Sequence, residues 1–256
     1  MSGKPNCTDP GLVIAHRGAS EFAPENTLAA FRLAAEQGTR WIEFDVSLLG
    51  DGTPVVIHDA TLNRCSDWTG PLSELSVYDL SGIDAGSWKH PDFTGEPLPT
   101  LEAALQEIEA LGLYANLELK PHDGETGALA AAVAPVLASL DWTDERIITS
   151  SFVLPELAAF RTAMPSAPVA VLYNDPPDTW HRDLCELNAA AMHMNWRFLR
   201  QSLLTDVTTR GFDLRVFTIN DPEVVEPFRD HGLTSVITDH PPLYLERPDW
   251  QVWISR

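Results

Sequence analysis

The sequence predicts a (β/α)8 barrel, and three observations support this fold class. Short runs of β-branched residues alternate with segments of helical periodicity, the pattern of βαβ units in a parallel sheet. The chain has 256 residues, and its strand-like runs begin near positions 12, 41, 114, 146, 168, 190, 214 and 235, a length and strand number typical of this barrel. Titratable residues are concentrated where these runs end, which is where such barrels place their functional groups. A doubly wound open sheet is the alternative.

The composition fits one globular domain over residues 1–256. Apolar residues make up 44% of the chain, enough for a sizeable core, so we expect little disorder. The 17 basic and 37 acidic residues give a formal net charge of −20, which repels polyphosphate backbones and anionic lipid surfaces. We therefore expect no nucleic-acid partner and no stable membrane insertion. A small anionic ligand held locally by a metal ion is compatible with this charge.

The first βα unit begins with a predicted strand at Leu12–Ala15. A helix is predicted over about residues 26–37, because apolar side chains recur there on one helical face. Asn26 is the expected N-terminal cap, since asparagine is favoured at that position. Gly38 is expected to end the helix, because glycine readily adopts the left-handed conformation that follows a helix.

The second unit contains a predicted strand at residues 41–46 and a hairpin extension after it. Residues 48–52 have turn composition, and the chain is expected to return along the strand at residues 54–57. This arrangement places His58 beside the end of the second strand.

Residues 60–97 are predicted to form an insertion outside the repeating unit, because they lack the strand and helix periodicity and are rich in Ser, Gly, Asp, Trp and Pro. Their apolar content, including Leu72, Leu75 and Leu80, favours an ordered lid. Regular alternation then resumes with a helix capped by Thr100, and a later helix is expected to start at Asp221. The remaining predicted strands are 114–119, 146–149, 168–172, 190–194, 214–219 and 235–238.

The cysteines and the first residues bear on cellular location. Cys7, Cys65 and Cys185 are widely spaced, so we expect ordinary reduced thiols rather than a disulfide framework or a zinc site. Residues 1–10 are polar and show no signal-peptide pattern. The apolar stretch at residues 128–140 contains a proline and is too short to cross a bilayer. We therefore expect a cytoplasmic protein.

Polar pairs at the predicted strand ends indicate a metal site. Glu43 and Asp45 are two residues apart on one strand, as are Glu118 and Lys120 on another, so each pair points to one face. Converging carboxylates repel one another unless a cation joins them, and oxygen ligands favour Mg²⁺ or Ca²⁺. A single Glu-x-Asp is more often a solvated edge. Together with His16-Arg17 and His58-Asp59, however, there are four polar pairs at the ends of apolar runs, which favours mutual pairing through a metal and a ligand.

Several short motifs follow one another along the chain. They are His16-Arg17-Gly18, Pro24-Glu25-Asn26, Glu43-Phe44-Asp45, His58-Asp59 and Glu118-Leu119-Lys120. Agreement continues at residues 85–88, 98–101, 150–152 and 216–220 and so extends over nearly the whole chain. No single tripeptide is specific, but the combination closely resembles the glycerophosphodiester phosphodiesterase family, and its bacterial cytoplasmic branch in particular.

This resemblance implies hydrolysis of small-molecule glycerophosphodiesters to sn-glycerol 3-phosphate and an alcohol, with one divalent cation, Mg²⁺ or Ca²⁺. Position by position, Glu43, Asp45 and Glu118 match the family's metal ligands. His16 and His58 match its acid–base pair, and the sequence does not distinguish acid from base. The nucleophile is either water or the adjacent glycerol hydroxyl through a cyclic intermediate.

Other residues match the family's substrate contacts. Arg17 and Lys120 match residues that hold the phosphate, and Phe217 matches an aromatic residue that packs against the glycerol carbons. His193, Asn195 and Trp196 could line the mouth of the barrel, or they could form a packed strand end.

Two other functions are weighed against this one. A related barrel phosphodiesterase could act on lysophospholipids, like a lysophospholipase D, but the sequence shows no basic amphipathic helix for a lipid surface. A phosphate-binding scaffold without catalysis is disfavoured, because both histidines and all three carboxylates are present.

Overall fold

Parallel strands alternate with helices along most of the computed structural model, which describes residues 13–122, 126–142 and 146–250. The strands are β1 (Val13–His16), β2 (Trp41–Leu48), β3 (Pro54–Val56), β4 (Tyr114–Leu119), β5 (Ile147–Ser151), β6 (Val169–Tyr173), β7 (Ala191–Asn195), β8 (Asp213–Phe217) and β9 (Ser235–Thr238). The helices are α1 (Leu28–Glu36), α2 (Leu101–Ala110), α3 (Ala128–Ser139), α4 (Leu154–Ala163), α5 (Trp180–Glu186), α6 (Gln201–Thr209), α7 (Pro222–Arg229) and α8 (Pro242–Leu245).

The sheet closes on itself. It runs in the order β1, β9, β8, β7, β6, β5, β4, β2, and β1 pairs in parallel with both β2 and β9. Eight parallel strands therefore form a barrel, which confirms the predicted fold class and excludes the open sheet.

The barrel interior is layered, and the layers position the site. One layer is apolar and consists of Ile14, Trp41, Ile148, Ala170, Ala191 and Ile237. Because side chains alternate along a strand, the next inward residues lie two positions further on. On β1 and β2 these are His16 and Glu43, so the polar layer lies at the carboxyl ends of the strands.

Side-chain caps define several helix starts. The hydroxyl of Thr100 accepts a hydrogen bond from the Ala103 amide at 3.2 Å, as predicted. The Asp221 carboxylate accepts one from the Glu223 amide at 3.1 Å, also as predicted. The prediction that Asn26 caps α1 is wrong. Thr27 is the cap, and Asn26 has a φ of 59°, in the left-handed region that asparagine tolerates.

The predicted hairpin and the insertion that follows it form a second, smaller core. β3 pairs antiparallel with β2, with Val56 opposite Val46. Leu72, Leu75 and Leu80 are buried, so this part of the insertion is ordered as expected. The full cluster is Leu49, Val55, Ile57, Leu62, Leu72, Leu75, Leu80, Ile83, Ala85 and Leu98. Trp68 and Trp88, by contrast, are partly exposed.

Two remaining expectations concern thiols and membranes. Cys65 and Cys185 are both free thiols, while Cys7 and residues 1–10 lie outside the described residues. Across residues 13–122, 126–142 and 146–250, no helix has the length and apolar character needed to cross a bilayer.

Candidate active site

Three buried carboxylates meet at the carboxyl end of the barrel. Glu43 and Asp45 lie on β2 and Glu118 lies on β4, where the register places Asp45 beside Glu118. One oxygen from each residue lies within 4.8 Å of the other two. The alternation on adjacent strands therefore brings all three predicted ligands together.

Their proximity and burial perturb the titration of these groups. Burial raises the pKa of Glu43 well above its usual range, and the charges of Asp45 and Glu118 add to the effect. Burial, with the charge of Asp45, also raises the pKa of Glu118 to about 7. Burial opposes ionisation of Asp45 too, but the charges of Arg17, Lys120 and His58 together with the Asn26 hydrogen bond lower the pKa of Asp45.

The carboxylates fit a hard divalent cation. Glu43 Oε1 is buried and accepts no hydrogen bond from the described residues, an arrangement that is costly for a carboxylate without a cation. All the donors of this cluster are oxygens, the ligands that Mg²⁺ and Ca²⁺ prefer. Glu43, Asp45 and Glu118 could thus hold such an ion.

Two cationic side chains border the carboxylates. Arg17 Nε lies 3.0 Å from Asp45 Oδ2, and the Arg17 backbone amide donates to Glu43 Oε2 at 3.0 Å. Lys120 Nζ lies 2.6 Å from Glu118 Oε1 and 3.5 Å from Asp45 Oδ1. Both predicted phosphate ligands are therefore in the cluster, where a phosphate oxygen could bind them.

Each predicted catalytic histidine is paired with an aspartate. His16 Nδ1 lies 2.6 Å from Asp239 Oδ1, and His58 Nδ1 lies 2.6 Å from Asp59 Oδ1. An ionised carboxylate only accepts hydrogen bonds, so Nδ1 carries the proton in each pair. This tautomer leaves Nε2 to exchange protons, and His16 Nε2 lies 3.9 Å from Glu43 Oε2.

Comparison with known proteins identifies the family. Residues 16–243 match the glycerophosphoryl diester phosphodiesterase family. The chain belongs to that family. A glycerophosphodiester phosphodiesterase of Caldanaerobacter subterraneus is 31% identical, over 90% of this chain and 94% of its own. The protein is accordingly an enzyme, a phosphoric diester hydrolase.

Solved structures agree in fold. A phosphodiesterase of Oleispira antarctica, in complex with the product sn-glycerol-3-phosphate, is 35% identical, with a TM-score of 0.88 over 95% of this chain and 96% of that one. A glycerophosphodiester phosphodiesterase of Agrobacterium tumefaciens is 26% identical, with a TM-score of 0.79 over 92% of this chain and 99% of that one.

The phosphodiesterase site also contains residues that the sequence did not single out. Asp239 follows β9 directly and accepts hydrogen bonds from Ser20 at 2.9 Å and Asn220 at 2.7 Å, besides its contact with His16. Its position directly after a strand, where the other polar pairs also lie, is the sequence feature that could have indicated it.

Asn26 is a second residue whose role differs from the prediction. Its side-chain amide donates to Asp45 Oδ2 at 2.9 Å, and its Oδ1 accepts from the Asp45 backbone amide at 3.2 Å. It therefore fixes a candidate metal ligand from the β1–α1 loop instead of capping the helix.

Residues after the later strands occupy different environments. Phe217 lines the same cavity as His16, Glu43 and Glu118, with its ring edge-to-face against Phe152 at 5.8 Å between centroids. His193 is fully buried inside the barrel, and Asn195 caps a short 3₁₀ turn at residues 196–198. His193 lines the same cavity as Phe217, so it is packed at the strand end and also borders the candidate site.

Proposed function

We propose that this enzyme hydrolyses glycerophosphodiesters to sn-glycerol 3-phosphate and an alcohol, with one divalent cation and two histidines for proton transfer. One observation carries the proposal. Three buried carboxylates, two cationic side chains and two aspartate-paired histidines lie together at one end of the barrel. The product bound to the Oleispira antarctica relative supports the same reaction.

Glu43, Asp45 and Glu118 would hold the cation, Mg²⁺ or Ca²⁺. When bound, such an ion withdraws electron density from a phosphoryl oxygen and offsets its negative charge. Asn26 orients Asp45 for this role through its two hydrogen bonds. The backbone amide of Arg17 restrains Glu43 in the same way.

His16 and His58 would move the protons. One removes a proton from the nucleophile, which is either water or the neighbouring glycerol hydroxyl, and the other protonates the departing alkoxide. Burial, reinforced by the charges of Arg17 and Lys120, lowers the pKa of His58. A larger fraction of its imidazole is therefore neutral near pH 7, the form that accepts a proton at Nε2.

The remaining residues would bind the substrate. Arg17 and Lys120 would donate hydrogen bonds to the non-bridging phosphate oxygens, where charge accumulates during displacement. Phe217 would pack against the glycerol carbons, since its ring lines the cavity beside His16. These contacts would hold the phosphate and the glycerol of the substrate in the site.

The test is detection of released sn-glycerol 3-phosphate from a panel of glycerophosphodiesters, with Mg²⁺ or Ca²⁺ added to chelator-treated enzyme. His16→Ala and His58→Ala should each lose most activity while remaining folded, and the exposed His231 provides the matched control, His231→Ala. Full activity of either variant would remove that histidine from the mechanism.

Turnover without metal would contradict the carboxylate assignment, and turnover of a lysophospholipid alone would favour the lysophospholipase D alternative.

We also propose that residues 1–256 form one domain, which the continuous barrel from β1 to β9 and the family match over residues 16–243 support. The cytoplasmic location and the absence of a nucleic-acid partner stay predictions.

A further inference from the structure

The inserted segment contributes one charged side chain to the edge of the site. Arg64 Nη1 and Nη2 donate to the two oxygens of Glu25 at 2.7 and 2.9 Å. Its Nε and Nη2 donate to the two oxygens of Asp59 at 2.8 and 3.1 Å. The guanidinium therefore binds both carboxylates in a bidentate manner, a geometry that a lysine cannot reproduce.

Each of these carboxylates contacts one functional residue on its other side. Asp59 Oδ1 lies 2.6 Å from His58 Nδ1, and Glu25 Oε1 accepts from Arg17 Nη1 at 2.7 Å. Arg64 thus contacts a proposed proton-transfer group, His58, through Asp59 and a proposed phosphate ligand, Arg17, through Glu25.

This arrangement contributes to stability, because bidentate pairs that join into a network exceed isolated surface pairs. The Arg64 side chain is nevertheless 45% exposed, and its partners both contact proposed site residues. What the guanidinium does fix is orientation. Its single positive charge is shared between Glu25 and Asp59, and its four hydrogen bonds hold Glu25 beside Arg17 and Asp59 beside His58.

We propose that Arg64 is a positioning residue for the reaction, acting through Asp59 on His58 and through Glu25 on Arg17. This inference rests on the proposed functions of His58 and Arg17. The Asp59 contact governs proton transfer and therefore kcat. The Glu25 contact governs phosphate binding and therefore KM, and it also contributes to kcat because Arg17 faces the oxygens on which charge accumulates.

The experiment measures kcat and KM of Arg64→Met with a glycerophosphodiester that the wild type hydrolyses. We expect kcat to fall by about tenfold to a hundredfold, the range seen when a partner that orients a site residue is removed, and KM to rise. Arg64→Lys should recover little, because an ammonium cannot bridge two carboxylates. The matched control is Arg210→Met, whose side chain is 44% exposed and 2.7 Å from Asp206. It should keep wild-type values.

A double-mutant cycle separates positioning from a general loss of structure. Because Arg64 acts on kcat through Asp59, Arg64→Met should reduce kcat much less in an Asp59→Asn background than in the wild type. In a Glu25→Gln background its effect on KM should likewise shrink. Wild-type kcat and KM in Arg64→Met would overturn the inference, as would full additivity with both partners. If His58→Ala stayed active, the proposed role of His58 would fail, which is a different result.

Discussion

Replacing Asp239 by asparagine tests whether a carboxylate must orient His16. The carboxylate accepts from His16 Nδ1 at 2.6 Å and Ser20 at 2.9 Å on one oxygen, and from Asn220 at 2.7 Å on the other. An asparagine has one acceptor oxygen, so its amide nitrogen must oppose either the Asn220 donor or His16 Nδ1. When the amide nitrogen faces His16 Nδ1, the imidazole proton must move to Nε2. Nε2 can then no longer accept a proton in the reaction.

The size of both effects follows from these contacts. One lost hydrogen bond with an opposed donor destabilises a protein by about 1–3 kcal/mol, which lowers the Tm by about 2–4 °C per kcal/mol at this chain length. A wrong tautomer in a histidine–aspartate pair lowers kcat by up to about 10⁴-fold. We therefore expect Asp239→Asn to fold but to lose about 10²- to 10⁴-fold in kcat.

The assay is steady-state release of sn-glycerol 3-phosphate at 25 °C, well below the Tm, with Tm measured on the same samples. His240→Ala gives a neighbouring control, because His240 packs against Phe22 rather than on His16. A kcat within twofold of the wild type for Asp239→Asn would refute the orienting role. So would an equal loss in the His240→Ala control.

Three further predictions concern the proposed metal ligands and the loop beside them. Without metal, the Glu118 pKa is about 7 in the folded protein against 4.5 in the unfolded chain. The stability that its protonation contributes is therefore fully present below pH 4.5 and is lost as the pH rises through 7. Calorimetry with chelator should give a lower Tm at pH 8 than at pH 6, and an unchanged Tm would contradict this. Glu43→Gln should raise the Tm of the metal-free protein and abolish stabilisation by Mg²⁺ or Ca²⁺, and retained metal stabilisation would exclude Glu43 as a ligand. Gly18→Ala should destabilise by more than about 1 kcal/mol, because Gly18 has a φ of +79° and its Cβ would lie 2.7 Å from Ala30; an unchanged midpoint of urea unfolding would disprove the clash.

The fold was predictable because its determinants are local. Strand-like runs and amphipathic helices alternate along the sequence, and a parallel strand needs a crossover of this kind. Helix caps were less predictable, as Asn26 shows. Asparagine suits both a cap and the left-handed region, and the contact that decides between them is with Asp45, 19 residues away.

The site was predictable where its residues share a strand or follow a motif. Alternation predicted Glu43 and Asp45 on one face of β2, and their oxygens do meet at one point in the structure. Partners distant in sequence were not accessible in this way. Asp239 is 223 residues from His16, and the two meet only because β9 closes the barrel against β1. Arg64 likewise reaches Glu25 across 39 residues, through an insertion without a regular period.

The charge of the site depends on what occupies the carboxylates. Glu43, Asp45 and Glu118 bring three negative charges when ionised, while Arg17 and Lys120 bring two positive ones. This cluster is therefore negative by one charge without a cation and positive by one with a divalent ion, which a phosphodiester monoanion would neutralise. Burial, followed by the repulsion of the neighbouring carboxylates, raises the pKa of Glu43 and Glu118 in the metal-free cluster. Protons and metal ions thus compete for the same oxygens, and a divalent ion at this site would let a chain of net charge −20 bind an anionic substrate.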